Sequence, residues 1–463
     1  MRVLAIDVGT SSLKAGIIDR EGCLRSSARE RLLDRKGADL SRFRPGIWFE
    51  ALRDALKSLG PELSSVRAVS VSGNGPTLVS VGNGGEAQEE AFLWIDERRS
   101  YKPGEASFFL PKASWILKNR PKLYERTETF LGCPEYLSFL LSGAASAFSP
   151  SEEFDQYFWN EASLSSYGLD RGKFPPFART GDLVGRVTRA ASEATAVPEG
   201  IPLFAGGSDF LMALLGTGAV FPGSTCDRAG SSEGINYCSP DKVRHERIRC
   251  LPHVIPGLYN ASGILASTGT IFEWFRKFSG QTEVPYDEML GRIRDLGHKA
   301  SIPSFFPSVR RGAVWQFSGG IFSGLEDFHG KDEMGRAVVN AIGFGVRDCV
   351  DTLASCGCTV SELVVSGGQA LSPVWNQMKA DMAGCPVAVP EIADGELTGA
   401  ACSAFTGLGE FTDLIEASRS LVRLRARFTP RPGEERLYTE EYGRYRYLCD
   451  RIHSAVAEDT AGS

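Results

Sequence analysis

Val3-Leu4-Ala5-Ile6-Asp7-Val8-Gly9-Thr10-Ser11-Ser12-Leu13-Lys14-Ala15-Gly16-Ile17-Ile18-Asp19 is the stretch that decides the fold. The apolar run at residues 3–6 reads as a buried strand. It ends in Asp7 and a tight turn of Gly9, Thr10, Ser11 and Ser12. Residues 14–19 read as a second strand returning beside the first. Such a hairpin gathers a carboxylate, a glycine, hydroxyls and backbone N–H groups at one tip, the parts needed to hold a metal ion and phosphate oxygens. The alternative is an ordinary hairpin whose polar turn faces water. The GxxxxGK[ST] loop is missing, so the tip is not a P-loop.

A chain of 463 residues is too long for one compact core, and two domains are expected. Hydrophobic residues at 42% and charged residues at 23% are those of a soluble globular protein. A net charge of −6 argues against nucleic acid as the main partner. Asp7 breaks the first apolar run too early for a signal peptide. No stretch is long and apolar enough to span a membrane; the nearest, around residues 203–221, contains Asp209. The expectation is a cytoplasmic protein without a membrane partner. The 11 cysteines include no CxxC pair, and the five histidines show no ligand spacing, so buried thiols in a reducing compartment are expected and structural zinc is not.

Along the chain, residues 46–59 read as an amphipathic helix and residues 66–72 as a strand. Residues 77–81 are expected to pair with that strand, and residues 91–95 to form another. Helices are expected at 113–118, 121–127 and 136–141, with irregular surface structure over 149–180. A strand at 202–205 leads through Gly206-Gly207-Ser208-Asp209 into an apolar helix. A second section then opens as the first did, with a strand and a small-residue tip, Ala229-Gly230-Ser231-Ser232-Glu233-Gly234. The echo suggests duplication of one α/β unit, with domains at 1–222 and 223–463. Farther on come a long helix over 333–355 with one apolar face, a strand at 362–366, a helix over 373–382 and a small-residue helix over 398–407.

Asp209 is the strongest catalytic candidate. After two glycines at a strand end, a carboxylate can reach a substrate hydroxyl, take its proton and free the oxygen to attack phosphorus. The alternative is that it only caps the following helix. Gly9-Thr10 and Gly230-Ser231-Ser232 are candidate phosphate cradles. Gly367-Gly368-Gln369-Ala370-Leu371-Ser372-Pro373 can bring backbone close to a flat ligand such as adenine; equally, it is a plain strand-to-helix connection with Ser372 as cap and Pro373 in the first turn. Trp94-Ile95-Asp96-Glu97-Arg98-Arg99 offers a carboxylate and a guanidinium for sugar hydroxyls, or is a solvated charged turn.

The order of these motifs resembles the FGGY family of carbohydrate kinases, which contains xylulokinase and glycerol kinase. The resemblance runs from Val3 to about Gly409. It is carried by the opening hairpin, Leu93-Trp94-Ile95-Asp96-Glu97-Arg98, Ala205-Gly206-Gly207-Ser208-Asp209, Ala229-Gly230-Ser231-Ser232, Thr268-Gly269-Thr270-Ile271-Phe272-Glu273-Trp274, Val365 through Trp375, and Gly399-Ala400-Ala401. It implies an α/β protein of two ribonuclease H-like (actin-like ATPase) domains flanking a catalytic cleft, binding ATP and Mg²⁺ and phosphorylating a hydroxyl of a small sugar or polyol. It implies Asp209 as general base, Asp7 and Asp209 at the metal, and Gly9, Thr10, Ser11, Gly230, Ser231, Ser232, Gly269 and Thr270 around the phosphates. Gly367, Gly368, Gln369 and Ser372 would border the adenosine, and Asn74, Trp94, Asp96 and Arg98 would lie towards the sugar. A homodimer is a family-level expectation.

Two departures stand out. The second tip is usually Gly-Thr-Ser-Gly; here Glu233 follows the two serines, and its charge is expected to repel phosphate unless it points away. Phe210 follows the catalytic aspartate where the family often has Asn or Gln, removing one sugar hydrogen bond. Both motivate a second reading: a catalytically impaired or regulatory nucleotide-binding protein on the same fold.

Overall fold

The computed structural model describes residues 1–102, 104–298, 301–308 and 314–461. The chain divides into two compact units. The first comprises Met1–Gly216, Pro252–Gly257 and Asp394–Arg423; the second comprises Thr217–Leu251, Leu258–Ala393 and Leu424–Ser463. A single cut at residue 222 does not describe this division, because the chain returns to the first unit twice.

The first unit is built on six strands: β1 (Arg2–Val8), β2 (Ser12–Asp19), β3 (Leu24–Arg31), β4 (Val66–Gly73), β5 (Leu183–Arg186) and β6 (Pro202–Ser208). Their order is β3-β2-β1-β4-β6-β5, antiparallel at both sides and parallel through β1, β4 and β6. Leu4, Ile6, Val8, Leu13, Ala15 and Ile17 are fully buried against helix α1 (Gly46–Leu59), whose Ile47, Trp48, Ala51, Leu52, Ala55 and Leu56 form the matching face. Burial of each large side chain is worth about 1.5–3 kcal/mol, so this face fixes the hairpin register. In that register Asp7 stands opposite Lys14 on one side and Ser72 on the other.

Helix α2 (Asp209–Gly216) follows β6 and packs on the helix Gly395–Gly407. The approach is unusually close. A methyl group at Gly399 would stand 2.0 Å from the Met212 carbonyl oxygen, and one at Gly216 would stand 1.8 Å from the Gly395 oxygen. The small-residue helix expected near residue 398 therefore serves backbone packing under α2.

The second unit carries β7 (Thr225–Ala229), β8 (Glu233–Ser239), β9 (Arg249–Pro252), β10 (Tyr259–Leu265), β11 (Leu363–Ser366), β12 (Val387–Pro390) and β13 (Leu424–Phe428), in the order β9-β10-β8-β7-β11-β12-β13. Without β9, its pattern of antiparallel and parallel neighbours is that of the first sheet. Its helices include α3 (Thr268–Phe278), α4 (Lys331–Ser355), α5 (Pro373–Ala383) and α6 (Pro432–Ala461). Among the described residues no helix is long and apolar enough to cross a membrane.

Three expectations fail locally. Val79–Val81 pairs with Thr129–Leu131, not with β4. Residues 91–95 form only an isolated bridge, Leu78 to Phe92. The Leu93 carbonyl instead accepts from Asp96 N at 3.0 Å in a turn, and the buried Lys112 Nζ donates to the carbonyl oxygens of Pro76, Leu93 (2.8 Å) and Phe92 (3.4 Å). Residues 149–180 are not simply surface structure either. Phe154, Phe158, Trp159 and Phe174 are buried, with rings stacked edge or face on one another, and Asn160 caps a short helix, Glu161–Tyr167.

In the second unit His298 lies between two carboxylates of α6, with Nδ1 2.7 Å from Glu441 and Nε2 3.0 Å from Glu434. Hydrogen bonding to Glu441 raises its pKa above the ordinary 6.5, against the opposing effect of burial. A raised folded-state value gives stability that is fully present below about pH 6.5 and is lost as pH climbs through the raised value. His298→Gln is therefore expected to lower the urea midpoint at pH 6, with the gap to wild type closing by about pH 9. An equal gap at both pH values would refute the assignment.

Candidate active site

The chemistry in the first unit gathers at the C-terminal ends of β1, β4 and β6. Asp7 is 2% exposed. Its Oδ1 accepts from Ser72 Oγ at 2.9 Å, and its Oδ2 is 3.4 Å from Lys14 Nζ. Lys14 also meets Asp394 at 2.8 Å and Glu396 at 4.0 Å. Burial disfavours its ammonium, but Glu396, Asp7 and Asp394 outweigh burial and hold its pKa above the ordinary value. For Asp7 burial is the largest influence and raises the pKa; Lys14 opposes it, and the charge of Asp209 raises it further. Asp7 and Asp209 thus share one electrostatic neighbourhood.

Asp209 is the first residue of α2 and half-buried. Its Oδ1 accepts the backbone N–H of Phe210 at 2.7 Å. The glycines before it serve strand packing. A methyl group at Gly206 would stand 2.1 Å from the Val71 oxygen, so only glycine lets β6 lie against β4 there. Phe210 packs towards Phe154, with ring centroids 6.4 Å apart.

The first tip closes through Gly9 N donating to Ser12 O at 2.9 Å. Thr10 Oγ1 accepts from the indole N–H of Trp94 at 3.0 Å. A residue read as sugar-side therefore touches one read as phosphate-side, while Ser11 stays exposed. Asn74 is 2% exposed and committed to the chain: its amide donates to the Val8 and Gly9 carbonyls at 3.1 and 3.3 Å and accepts from Thr77 Oγ1 at 2.7 Å. It shapes the tip. Asp96 accepts from the guanidinium and backbone N–H of Arg98, whose Nη1 also reaches Glu90 at 2.8 Å and whose guanidinium covers the Phe92 ring. Glu90 also meets Arg120 at 3.1 Å, so Asp96 and Arg98 belong to a wider ion-pair network.

In the second unit, Gly230 N donates to Ser232 O at 2.9 Å, closing the second tip, with Gly230 and Ser231 exposed. The start of α3 abuts it. Thr270 donates to Ser231 O through its backbone N–H at 3.1 Å and its hydroxyl at 3.2 Å, and a methyl group at Gly269 would stand 2.2 Å from Gly230 O. A helix N-terminus beside an exposed small-residue turn favours anions. Gln369 Nε2 reaches Gly230 O at 3.3 Å and Thr268 Oγ1 at 3.2 Å. Gly367 has φ +94° and lies against Ala229, which other side chains would prevent. Ser372 caps α5, accepting from Trp375 N at 3.2 Å, with Pro373 in the first turn.

Glu233 does not face the tip. It is 1% exposed and its Oε1 lies 2.6 Å from Lys379 Nζ. The repulsion expected from the sequence is absent, because the side chain points inward from the strand. Lys14, Ser72, Asp394, Lys112 and Lys379 escaped the sequence reading as site residues. Lys14 and Ser72 had a readable signal, their register opposite Asp7; Asp394 and Lys379 lie too far along the chain for any.

Two sheets of one wiring, each opening with a hairpin tip of small and hydroxyl residues, define a two-domain actin-like, ribonuclease H-like ATPase fold. Models of the FGGY family of carbohydrate kinases match residues 103–216 for its N-terminal domain and 228–408 for its C-terminal domain. The chain belongs to that family and is an ATP-dependent carbohydrate kinase acting on a small-molecule sugar. It is similar to a xylulose kinase of Staphylococcus epidermidis, 25% identical over 98% of each chain. It is also similar to an autoinducer-2 kinase of Escherichia coli, 26% identical over 96% of this chain and 93% of the relative. The crystal structure of xylulose kinase from Rhodospirillum rubrum superposes with a TM-score of 0.81 at 21% identity, over 98% of this chain and 99% of that one.

Proposed function

We propose that the acceptor is an open-chain ketose or polyol, with Asp209 taking the proton of the hydroxyl that is phosphorylated. The observation that carries this reading is the electrostatic neighbourhood of Asp209 and Asp7 at neighbouring strand ends, beside the Thr10–Trp94 contact. The names of the relatives, xylulose kinase and autoinducer-2 kinase, point to acceptors of about this size. Trp94, Asp96 and Arg98 border the acceptor in this reading, and Asn74 acts by holding the tip.

Mg²⁺ fits Asp7 and Asp209, two carboxylates whose charges oppose one another. An ion there would be held by one or two carboxylates and the nucleotide phosphates. Bound there, it would neutralise charge on the phosphoryl group. Thr10 and the Gly9 and Ser11 backbone would approach the γ-phosphate. Gly230, Ser231, Ser232, Gly269 and Thr270 would hold the other phosphates, and Gly367, Gly368, Gln369 and Ser372 would line the adenosine. Phosphoryl transfer then depends on positioning and charge neutralisation more than on covalent help. All 11 cysteines are free of disulfides, which supports a reducing, cytoplasmic setting.

ADP release should be followed across a panel of ketoses, polyols and autoinducer-2. At least one acceptor should raise turnover about 10²-fold or more over ATP hydrolysis without acceptor. The same acceptor at ~100 times its Kd should stabilise the protein by about 2.7 kcal/mol in thermal shift. A panel with no acceptor above the hydrolysis background would overturn the substrate class.

A further inference from the structure

Lys379 is fully buried on α5, and its ammonium lies 2.6 Å from both Asp227 Oδ2 and Glu233 Oε1. The two carboxylates belong to the strands that carry the second tip: Asp227 lies on β7, and Glu233 begins β8 directly after Ser232. All three groups are sealed from water, at a desolvation cost of several kcal/mol per ion. Two carboxylates against one ammonium leave an excess negative charge. Burial, and then the charge of Glu233, push the Asp227 carboxyl well above the usual carboxylate range. That rise eases the excess negative charge of two carboxylates facing one ammonium.

The trio is one link in a closed circuit. From Glu233 the chain runs back through Ser232 and Ser231 to Gly230. The Gly230 carbonyl accepts from Gln369 Nε2, and Gln369 Oε1 accepts from the Trp375 indole N–H at 2.8 Å. The Trp375 ring faces Lys379 Nζ, 5.6 Å from its centroid, closing the loop. The circuit joins the tip, the Gly367–Ser372 turn and α5.

We propose that Glu233 and Lys379 are positioning residues for the nucleotide: their buried ion pair ties the base of the second tip to the helix behind the glycine turn, so that the two move as one body. This rests on the reading of the tip as a phosphate cradle. The residue that looked like a flaw in the cradle is its anchor.

Glu233→Ala removes the anchor but leaves Lys379 and Asp227 as a balanced pair, so the fold is expected to survive. The KM for ATP should rise about tenfold, the loss of one hydrogen bond between charged groups. The KM for the sugar and kcat at saturating ATP should stay within about twofold. Glu233→Gln, which keeps an oxygen acceptor, should recover much of the loss. If Glu233→Ala does not fold, Glu233→Asp carries the test: it keeps the charge but draws the base of the tip inward by one methylene, and should raise the KM for ATP alone. Gly269→Val is measured in parallel, because its side chain would push the tip away from α3. A rise in the KM for ATP with Gly269→Val but not with the Glu233 variants overturns the positioning claim and leaves the cradle standing. No rise with either overturns both. A fall in kcat that tracks lost folded protein, with both KM values unmoved, reduces the trio to a structural role and also overturns the claim.

Discussion

Asp209→Asn is expected to lower kcat by about 10²-fold or more, the usual scale for removing a positioned general base. The substitution isolates chemistry from structure. The asparagine carbonyl can still accept the Phe210 N–H, so α2 keeps its first turn and the thermal midpoint should hardly move. It also removes one of the negative charges that raise the Asp7 pKa, so any change in stability should be upward. Single-turnover measurements at saturating ATP and sugar, with ATP binding measured separately, provide the check. Near-wild-type turnover would return Asp209 to the role of a helix-start residue. A loss confined to ATP affinity would assign it to the metal side alone.

Lys14→Met should have the largest effect on stability. Lys14 forms an ion pair with Asp7 and serves Asp394 and Glu396 as well. Removing one partner of a buried ion pair costs about 3–5 kcal/mol, because the other charges stay buried without it. The sign of the pH dependence follows. Without the ammonium, Asp7, already raised by burial, titrates higher still in the folded protein, while Asp394 keeps Arg29, 2.9 Å away, and loses only part of its support. The deficit should therefore grow as pH rises from about 4 to 8 and shrink in acid. Urea denaturation at several pH values checks both claims; a deficit independent of pH would refute the carboxylate explanation. Activity should fall too, because Asp7 would carry a proton where the proposed metal needs a carboxylate.

Strictly local signals were legible in the sequence. The opening hairpin was readable because its apolar run is broken by one aspartate and a compact turn, and α1 because its buried positions recur with helical period. The echo at Gly230 gave away the duplicated sheet. Residues 91–95 misled because an apolar run says nothing of which donors take its carbonyls; beyond the single bridge to Leu78, the Leu93 carbonyl goes to the Asp96 turn and to Lys112. The stretch over 149–180 misled because its aromatic residues are buried by stacking, which has no period. At the site, residue types and turns were readable, but side-chain direction was not. Glu233 sits two residues from the exposed Ser231 and points inward to Lys379, 146 positions on.

The return of Asp394–Arg423 to the first unit bears on how this protein is born. The floor beneath Asp209 is the helix Gly395–Gly407, made long after β1 has left the ribosome. During synthesis α2 must wait, its Met212 backbone uncovered, until Gly399 arrives. The first unit cannot finish before the second has largely been translated, so the order of folding is not the order of translation. A truncated chain ending near residue 222 would carry Asp7 and Asp209 and still lack the helix on which α2 packs, which makes it a client for chaperones and proteases and not a small kinase half.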